Sequence, residues 1–487
     1  MNALVQQIAR RISVDYCRLS IVNNPDGCLT NAIVRNLLQA EQGVEIVSGS
    51  NLALRLHYEL HYKSGNGKRY VYVTQSPEAI LPDMKREAHS CAFVVSDLFP
   101  LFADKALLRR QPIEVLQVAF DRFGDRPVRG TVNCQHEINS IVQELELQRA
   151  VSMARFNERF SSLKLDWRDM LGTMNAVSML FIDVVRAGVE SEFADKLTTI
   201  NESFQQWLDD NYFLQQNSSH IMRSPCVNKV LPHIAHSHHK ASDKVALLVV
   251  DGLAYWQYVI LREAMNAARI TPADDVTLSW LPSITKLSRQ ALFRGEAPLQ
   301  DYNQNPNEES KLWRNFWQTR GVNSWEIQSI YDSDEFAVND GVTHLAVVTV
   351  EMDEKMHAAY DYRDLLTLTE NWAPRFTEKI ETLKGLGFTV YLTTDHGSKL
   401  SHGWRALSQV EKVFLYRDGS RGKRHLIYNN LQEMNNFYRS ASGDVVLLKH
   451  ENWLCVRGNE CFARQSATAI THGGSSVSEV VIPFIKI

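Results

Sequence analysis

Five short patches in the second half of the sequence place acidic, imidazole or hydroxyl side chains at the ends of apolar runs. They are VVDG, LPSIT, EMDEKMH, TTDHG and ATAITHGGSS, beginning at positions 249, 281, 351, 393 and 467. An open α/β sheet delivers side chains into its active-site crevice at such strand ends. Together the patches supply three aspartates, three histidines and one threonine, enough to hold two divalent metals beside a nucleophile. The pattern predicts a metal-dependent phosphohydrolase.

The first two patches also have a structural interpretation when each is taken alone. Asp251 follows the apolar ALLVV and can either bind a metal or cap the next helix. Thr285 comes shortly before a predicted helix, whose N-terminus attracts a phosphoryl group. A hydroxyl is a weak nucleophile unless a metal or base lowers its pKa, and Thr285 or Ser283 can equally serve as a helix cap.

The other three patches gain weight from one another. Asp353 and His357 are four residues apart, which puts both on one face of a helical turn. Such a pair can either share a metal or form a surface hydrogen bond. Asp395 and His396 follow the apolar FTVYLTT, where burying unpaired charge is costly. His472, structural by itself, becomes a third ligand beside Asp353 and His357. Five such patches in one domain favour a site over packing alone.

The elements that carry these patches alternate between strand-like and helical runs. VALLVVD, HLAVVTVEMD and FTVYLTTDH are strand-like, whereas YVILREAMNAAR and FTEKIETLKGL between them are helical. This alternation indicates an α/β fold with a doubly wound, mainly parallel sheet.

The 487 residues are too many for one ordinary domain. We predict a small α/β domain over 1–104, a helical middle domain or linker over 105–240, and the α/β domain with the patches over 241–487. The polar stretch at 217–244 marks the last boundary, and HIAHSHHK within it is interpreted as a solvated linker.

Within the first predicted domain the patterns give local expectations. Residues 1–43 predict two helices around a turn at Asn23–Gly27. The runs at 52–62 and 69–75 flank SGNGK and predict two strands joined by a hairpin turn. The segment at 91–99 predicts another strand.

Composition and charge limit the class of protein. The net charge of −4 gives no whole-chain attraction to nucleic acid or membrane. The seven cysteines are scattered without a CxxC pair, which argues against a disulfide framework and a zinc finger. The first 17 residues lack a signal-peptide pattern, and no run reaches the roughly 20 apolar residues of a membrane helix. We expect a cytoplasmic protein without a membrane partner.

The order of the patches resembles the alkaline phosphatase superfamily. More narrowly, LLVVDGL, LPSITKLSRQALF, TTDHGS and THGGSSVSEVVIPF resemble the PglZ family, over about 245–487. That family is associated with bacterial defence against bacteriophage, where it accompanies other proteins of the same locus. The resemblance therefore implies an alkaline-phosphatase-like domain and partners from a defence locus.

Carried over residue by residue, the resemblance also implies a site. Thr285 is the implied nucleophile, and Ser288 stands where some relatives have an asparagine that contacts a phosphate oxygen. One implied metal has as its ligands Asp353, His357 and His472. The second has Asp251, Asp395 and His396, with Thr285 bridging or adjoining it.

Mixed aspartate and histidine ligands favour Zn²⁺, with Mn²⁺ as the alternative. We expect a phosphodiesterase or nuclease acting on nucleotides or nucleic acid. A phosphomonoesterase of small metabolites and a catalytically silent scaffold subunit of a defence complex are the alternatives, and a homo-oligomer is compatible with each. Trp313, Phe316 and Trp317 either stack on bases or pack a helix, and packing is the default interpretation. Arg122, Arg126 and Arg129 either contact phosphates or line a solvated loop.

Overall fold

The computed structural model describes residues 3–487, except 15, 32–33, 36–37, 39–42, 66, 220–221, 241–242, 300–301, 333–335 and 417–422. The chain forms two compact units, Met1–Arg155 and Phe156–Ile487. The boundary between them falls within one long helix, Thr131–Ser162. The three-part division at residues 104 and 240 stays a prediction.

The first unit is built on a four-stranded sheet in the order β2-β3-β1-β4, in which every pair is parallel. Its strands are β1 Leu19–Asn23, β2 Val44–Ser48, β3 Arg69–Thr74 and β4 His89–Ala92. Successive residues of β3 point to opposite faces, and each face is covered by its own hydrophobic cluster. The described helices are α1 Ala3–Ile12, α2 Asn51–His57, α3 Pro82–Glu87, α4 Lys105–Leu108, α5 Ile113–Phe123 and α6 Thr131–Ser162.

The strand predicted at 52–62 is wrong. Residues Asn51–His57 form α2, and a π-helical segment, Tyr58–Tyr62, follows it directly. The Ser50 side chain caps the start of the helix by accepting from the amide of Ala53. Leu54 and Tyr58, four residues apart, are both fully buried, so one helical stripe faces the core.

Other local predictions in this unit have mixed outcomes. Strands at 69–74 and a helix at Ala3–Ile12 are present, whereas β1 was not anticipated. The predicted strand at 91–99 is reduced to the end of β4, because a short 3-10 helix, Val95–Leu98, follows it. The second predicted helix falls largely on residues outside those described.

The second unit contains a six-stranded sheet in the order β6-β16-β9-β5-β8-β7. The neighbours β9, β5, β8 and β7 are all parallel, and β16 pairs antiparallel with both β9 and β6. This confirms the predicted α/β class with a mainly parallel sheet. The strands are β5 Val245–Val250, β6 Val276–Leu278, β7 Ile327–Tyr331, β8 His344–Thr349, β9 Thr389–Thr393 and β16 Val481–Lys486.

Helices cover this sheet, and two small three-stranded sheets, β14-β10-β15 and β11-β13-β12, stand beside it. Their strands are β10 Lys399–Gly403, β11 His425–Ile427, β12 Leu447–His450, β13 Trp453–Val456, β14 Glu460–Cys461 and β15 Thr468–Thr471. The helices are α7 Met170–Ala187, α8 Ala194–Gln216, α9 Val230–Ser237, α10 Tyr255–Ala267, α11 Thr285–Arg294, α12 Pro306–Gln318, α13 Glu351–Ala358, α14 Tyr362–Gly385, α15 Gln409–Val413, α16 Leu431–Ala441 and α17 Val477–Val480.

Two helices differ from what their composition suggests. Among the described helices, α7 alone is long and apolar enough to cross a membrane by length and composition, and 44% of it is buried. Its residues Met174 and Val185 lie in the main core, which accounts for its apolar character.

The linker interpretation of 233–240 is wrong for its first part, because α9 runs to Ser237 and buries Ile234.

Candidate active site

Three aspartates meet at the carboxyl ends of neighbouring strands β9, β5 and β8. Asp251 directly follows β5, and Asp395 lies two residues beyond β9. Asp353 lies on α13, which begins two residues after β8. Because parallel strands end at one edge of the sheet, segments far apart in sequence bring these carboxylates together.

The Asp251 carboxylate is buried, and its two oxygens have different surroundings. Oδ2 accepts a hydrogen bond from Nη1 of Arg289 at 2.8 Å. Oδ1 lies 3.5 Å from Nε2 of His396. Asp251 does not cap the following helix, because the cap position of α10 belongs to Ala254. The capping interpretation of Asp251 is therefore wrong.

Asp395 is fully buried and is held in place through one oxygen. Its Oδ1 accepts from the amide of Gly252 at 3.2 Å, from the hydroxyl of Thr394 at 3.2 Å and from the amide of His396 at 3.1 Å. Gly252 has φ +75°, and a Cβ there would lie 3.3 Å from Cα of Asp353. Glycine at this turn thus allows the loop after β5 to approach both other aspartates.

Thr285 is the first residue of α11, and its hydroxyl faces His396. Thr285 Oγ1 lies 3.0 Å from His396 Nε2. His396 Nδ1 lies 3.0 Å from the carbonyl oxygen of Gly397, which can only accept, so Nδ1 carries the proton. The lone pair of Nε2 therefore points at Thr285 and at the carboxylate of Asp251. Ile284 occupies the cap position of α11, so Thr285 is not the helix cap.

A second cluster joins Asp353, His357 and His472. Asp353 Oδ1 lies 3.5 Å from His357 Nε2 and 4.0 Å from His472 Nε2. His472 Nδ1 lies 3.2 Å from the carbonyl oxygen of Ser283, which leaves Nε2 unprotonated toward Asp353. The His472 ring stacks on His396 at 3.8 Å between centroids, so the two clusters are contiguous.

The carboxylates of this site gather more negative charge than the described residues around them offset. In the part of the chain that the structure describes, Asp251 Oδ1, Asp353 Oδ1 and Asp395 Oδ2 are buried and accept no hydrogen bond. Burial and the carboxylate of Asp395 raise the pKa of Asp251 to about 6. Burial, together with Asp251 and Asp395, raises the pKa of Asp353 to about 8. Such shifts mark carboxylates gathered without enough positive charge.

Two groups of three described residues have ligand atoms within 4.8 Å of one another. One is Asp353, His357 and His472, the same set that the resemblance implied. The other is Asp251, Asp353 and His396, so Asp353 lies between the two groups. Asp395, implied as a ligand of the second metal, presents its unpaired Oδ2 3.7 Å from His396 Nε2. The donor set and its unpaired oxygens fit divalent metals.

Sequence reasoning missed Arg289 and Glu309. The buried guanidinium of Arg289 donates to Asp251 and, through Nη2, to Glu309 Oε2 at 2.6 Å. Arg289 lies one helical turn after Thr285, on a stretch of α11 that is otherwise buried, and this spacing was the available signal. Glu309 comes from α12, and nothing in the sequence links it to Arg289.

A second buried ion pair holds the loop of His472, which in turn is bonded to the loop of Thr285. Arg424 donates to both oxygens of Glu479, at 2.8 and 2.9 Å, and both side chains are fully buried. Glu479 Oε1 accepts from the amide of Gly474 at 2.8 Å. The carbonyl of Gly474 in turn accepts from the hydroxyl of Ser283 at 2.7 Å, two residues before Thr285.

The remaining sequence candidates have structural roles. Ser288 donates to and accepts from the backbone of Trp280, so it does not point at the site. Trp313, Phe316 and Trp317 are buried in the main core, which confirms helix packing rather than base stacking. Arg122 is paired with Glu144 on the first unit.

A family model described as the BREX system PglZ alkaline phosphatase-like domain matches residues 230–487. A search of curated proteins found no significant match.

Similar solved structures include three hydrolase-related proteins, each aligned with 50% of this chain. Phosphonoacetate hydrolase from Sinorhizobium meliloti 1021 has 12% identity, 89% of its own chain covered and a TM-score of 0.35. Human ectonucleotide pyrophosphatase/phosphodiesterase 5 has 11% identity, 87% covered and a TM-score of 0.32. Its murine counterpart has 12% identity, 88% of its own chain covered and a TM-score of 0.34. The family match, which spans more than half of the chain and every residue of the site, shows that this protein belongs to the PglZ family and carries its alkaline phosphatase-like domain.

Proposed function

We propose that this protein is a metal-dependent phosphohydrolase that cleaves phosphodiesters of nucleotides or nucleic acid through Thr285. The observation that carries the proposal is the position of the Thr285 hydroxyl, 3.0 Å from His396 Nε2 and in the same site as the unpaired, buried carboxylate oxygens of Asp251, Asp353 and Asp395. A hydroxyl at the N-terminus of a helix, next to a strongly anionic pocket, suits a nucleophile for a phosphoryl group once cations are bound.

Two groups of residues would hold the metals: Asp353, His357 and His472 in one, and Asp251, Asp395 and His396 in the other. When bound, divalent metals lower the pKa of a coordinated hydroxyl or water and neutralise charge on phosphoryl oxygens. Zn²⁺ suits the mixed oxygen and nitrogen donors, and Mn²⁺ is the alternative. Carbonyl acceptors at Nδ1 keep His396 and His472 in the tautomer whose Nε2 is free to bind.

The proposed reaction has two steps. The Thr285 oxygen attacks phosphorus and gives up its proton, the ester bond to the leaving alcohol breaks, and the alcohol departs carrying that proton. A water molecule then attacks the same phosphorus, the bond to Thr285 breaks, and a proton of the water restores the Thr285 hydroxyl. The start of α11 places the Thr285 hydroxyl 3.0 Å from His396 Nε2, the atom that would bind a metal, so the attacking oxygen is positioned before substrate arrives.

The cellular role is a separate part of the proposal. The description of the matched family names the BREX system, which supports action beside other proteins of a bacterial defence locus against phage. A silent scaffold subunit would need none of the unpaired carboxylates found in the site, and their retention favours catalysis.

Paired chromogenic substrates test the function. Protein purified without chelator and supplied with Zn²⁺ or Mn²⁺ is expected to hydrolyse bis-(p-nitrophenyl) phosphate faster than p-nitrophenyl phosphate. The Asp395→Ala variant should lose at least about a hundredfold in rate. A preference for the monoester would replace the diesterase with a phosphomonoesterase. No turnover of either ester, together with capture of locus partners that Asp395→Ala leaves unchanged, would establish the scaffold instead.

A further inference from the structure

A cavity of about 350 Å³ opens at the carboxyl edge of the parallel sheet in the first unit. Its walls come from the segments that follow three adjacent strands, β2, β3 and β1. The lining includes Asn24, Ser48, Asn51, Thr74, Gln75 and Ser76. The volume lies near the lower end of the range of small-molecule sites. The proposed phosphohydrolase site in the second unit uses none of these residues.

The cavity lies where the connections of the sheet change direction. The chain leaving β1 sends Leu29 and Val34 into the cluster on one face of the sheet. The chain leaving the neighbouring strand β3 sends Ile80 and Met84 into the cluster on the opposite face. Diverging connections leave a crevice between two adjacent strand ends. In open α/β sheets this is the position at which ligands bind.

The floor of the crevice is rigid. The buried amide of Asn24 donates to the carbonyl of Phe93 at 2.8 Å and accepts from the amide of Leu29 at 3.0 Å. The Asn24 backbone donates to the carbonyl of Thr74 at 3.3 Å, which joins the ends of β1 and β3. Thr74 donates its hydroxyl to Asn51 Oδ1 at 3.3 Å. A floor fixed in this way lowers the entropy cost of binding.

The walls carry hydrogen-bonding groups that are both donors and acceptors. Among the described residues, the exposed side chains of Ser48, Gln75 and Ser76 and the amide nitrogen of Asn51 have no hydrogen-bond partner within the protein and are open to a ligand. None of the described residues that line the cavity is acidic or basic, and Val73 adds an apolar surface. An anion would engage only the donors among these groups, whereas a ligand that carries both donors and acceptors can engage all of them.

We propose that this crevice binds a nucleoside through hydrogen bonds to its base and ribose. An amide side chain can donate to and accept from the edge of a base at once, and Gln75 and Asn51 offer such amides at the rim. Serine hydroxyls can exchange hydrogen bonds with the ribose. The ligand is recognised without its phosphate, because the part of the lining that the structure describes offers no basic side chain.

Binding of adenosine, guanosine, cytidine and uridine to the full chain, followed by saturation-transfer NMR and calorimetry, tests the proposal. At least one nucleoside is expected to bind. Ser48→Tyr, which fills the crevice from an exposed strand end, should abolish binding, and Gln75→Ala should weaken it at least fivefold. Ser64→Tyr, on an exposed turn outside the lining, is the matched control and should leave binding unchanged.

The Asp395→Ala variant separates this site from the phosphohydrolase site. It should bind the nucleoside as the wild type does, and Ser48→Tyr should keep its hydrolytic rate. Binding of inorganic phosphate or ribose alone, binding that survives Ser48→Tyr and Gln75→Ala, or no binding of any nucleoside would overturn the proposal. None of these results bears on Thr285.

Discussion

Among single residues, Arg289 offsets part of the negative charge of the candidate site. Its guanidinium is 6% exposed and bridges two buried carboxylates, Asp251 and Glu309. The bridge occupies one oxygen of Asp251 and directs the other toward His396. Arg289 thereby positions a proposed metal ligand while offsetting part of the negative charge around it.

Replacing Arg289 by methionine is expected to lower the free energy of unfolding by about 3–5 kcal/mol, because it leaves two buried carboxylates unpaired. Urea denaturation measures the change. Arg294→Met is the control on the same helix, since its partner Glu296 is 72% exposed and the pair contributes less than about 1 kcal/mol. Equal losses in the two variants would contradict the role of Arg289.

The residues that converge on the site could be predicted from the sequence, but the residues that hold them in place could not. Asp251, Asp395 and His396 could be predicted to meet because each follows an apolar run, and strand ends share one edge. Arg289 and Glu309 could not be predicted as partners, because their pairing depends on how α12 packs on α11. A charged residue inside a helical pattern gives no sign of whether it faces water or a buried partner.

At the scale of elements, the turn after β5 controls how closely the aspartates approach. Gly252 has φ +75°, and Asp353 lies against the position of the missing Cβ. Gly387 has a similar φ of +85°, with nothing within 4 Å of its Cβ position. The two glycines therefore separate backbone strain from crowding at the site.

Gly252→Ala and Gly387→Ala should each destabilise the fold by about 1–2 kcal/mol, through the left-handed backbone. Only Gly252→Ala should also reduce hydrolysis, by at least about tenfold, because it displaces Asp353 from Asp251. Melting temperatures and rates on the same preparations measure both effects. Comparable rates in the two variants would show that the turn has no influence on the site.

The first residue of β8 makes the second unit sensitive to acid. His344 is 8% exposed, and burial lowers its pKa to about 4. Its neutral form is favoured in the folded state, so its contribution to stability is present above pH about 6.5 and is lost as the pH falls toward about 4.

The metal-free wild type should therefore lose about 2 kcal/mol more than His344→Gln between pH 7 and about pH 4.5. Urea titrations at the two pH values give the difference. His236→Gln, at an exposed ring on α9, should behave as the wild type does. A parallel loss in all three proteins would remove His344 as the cause.

Helices and strands could be predicted where the sequence shows one clear hydrophobic period, and the prediction failed where helical and strand periods compete. The strands β5, β8 and β9 are continuous apolar runs, fully or almost fully buried, and were evident from the sequence. The run at 52–62 alternates polar and apolar residues as a strand does, yet Ser50 caps it as a helix and Leu54 and Tyr58 share one stripe. A cap and a four-residue spacing outweighed β-propensity there.

At the scale of the whole molecule, the proposed ligand set links metal binding to stability. Two buried carboxylates, Asp251 and Asp395, and the partly exposed carboxylate of Asp353 gather without enough positive charge and destabilise the metal-free fold. A metal that binds only the folded chain adds about 2.7 kcal/mol at a hundred times its dissociation constant.

Zn²⁺ should therefore raise the melting temperature by several degrees, and a chelator should reverse the change. Calorimetric scans with and without metal measure the shift, which His472→Ala should reduce. His402→Ala, an exposed histidine of β10, is the control. A melting temperature that ignores Zn²⁺ and Mn²⁺ would contradict the assignment of these residues as ligands.

The proposed hydrolysis depends on Thr285 as the nucleophile. Its most direct test is the hydrolysis rate of bis-(p-nitrophenyl) phosphate by wild type, Thr285→Ser and Thr285→Ala, with metal content measured in each. Thr285→Ser keeps the hydroxyl and should retain a substantial part of the rate. Thr285→Ala should lose at least about a thousandfold while still binding metal. A Thr285→Ala rate within tenfold of the wild type would show that Thr285 is not the nucleophile.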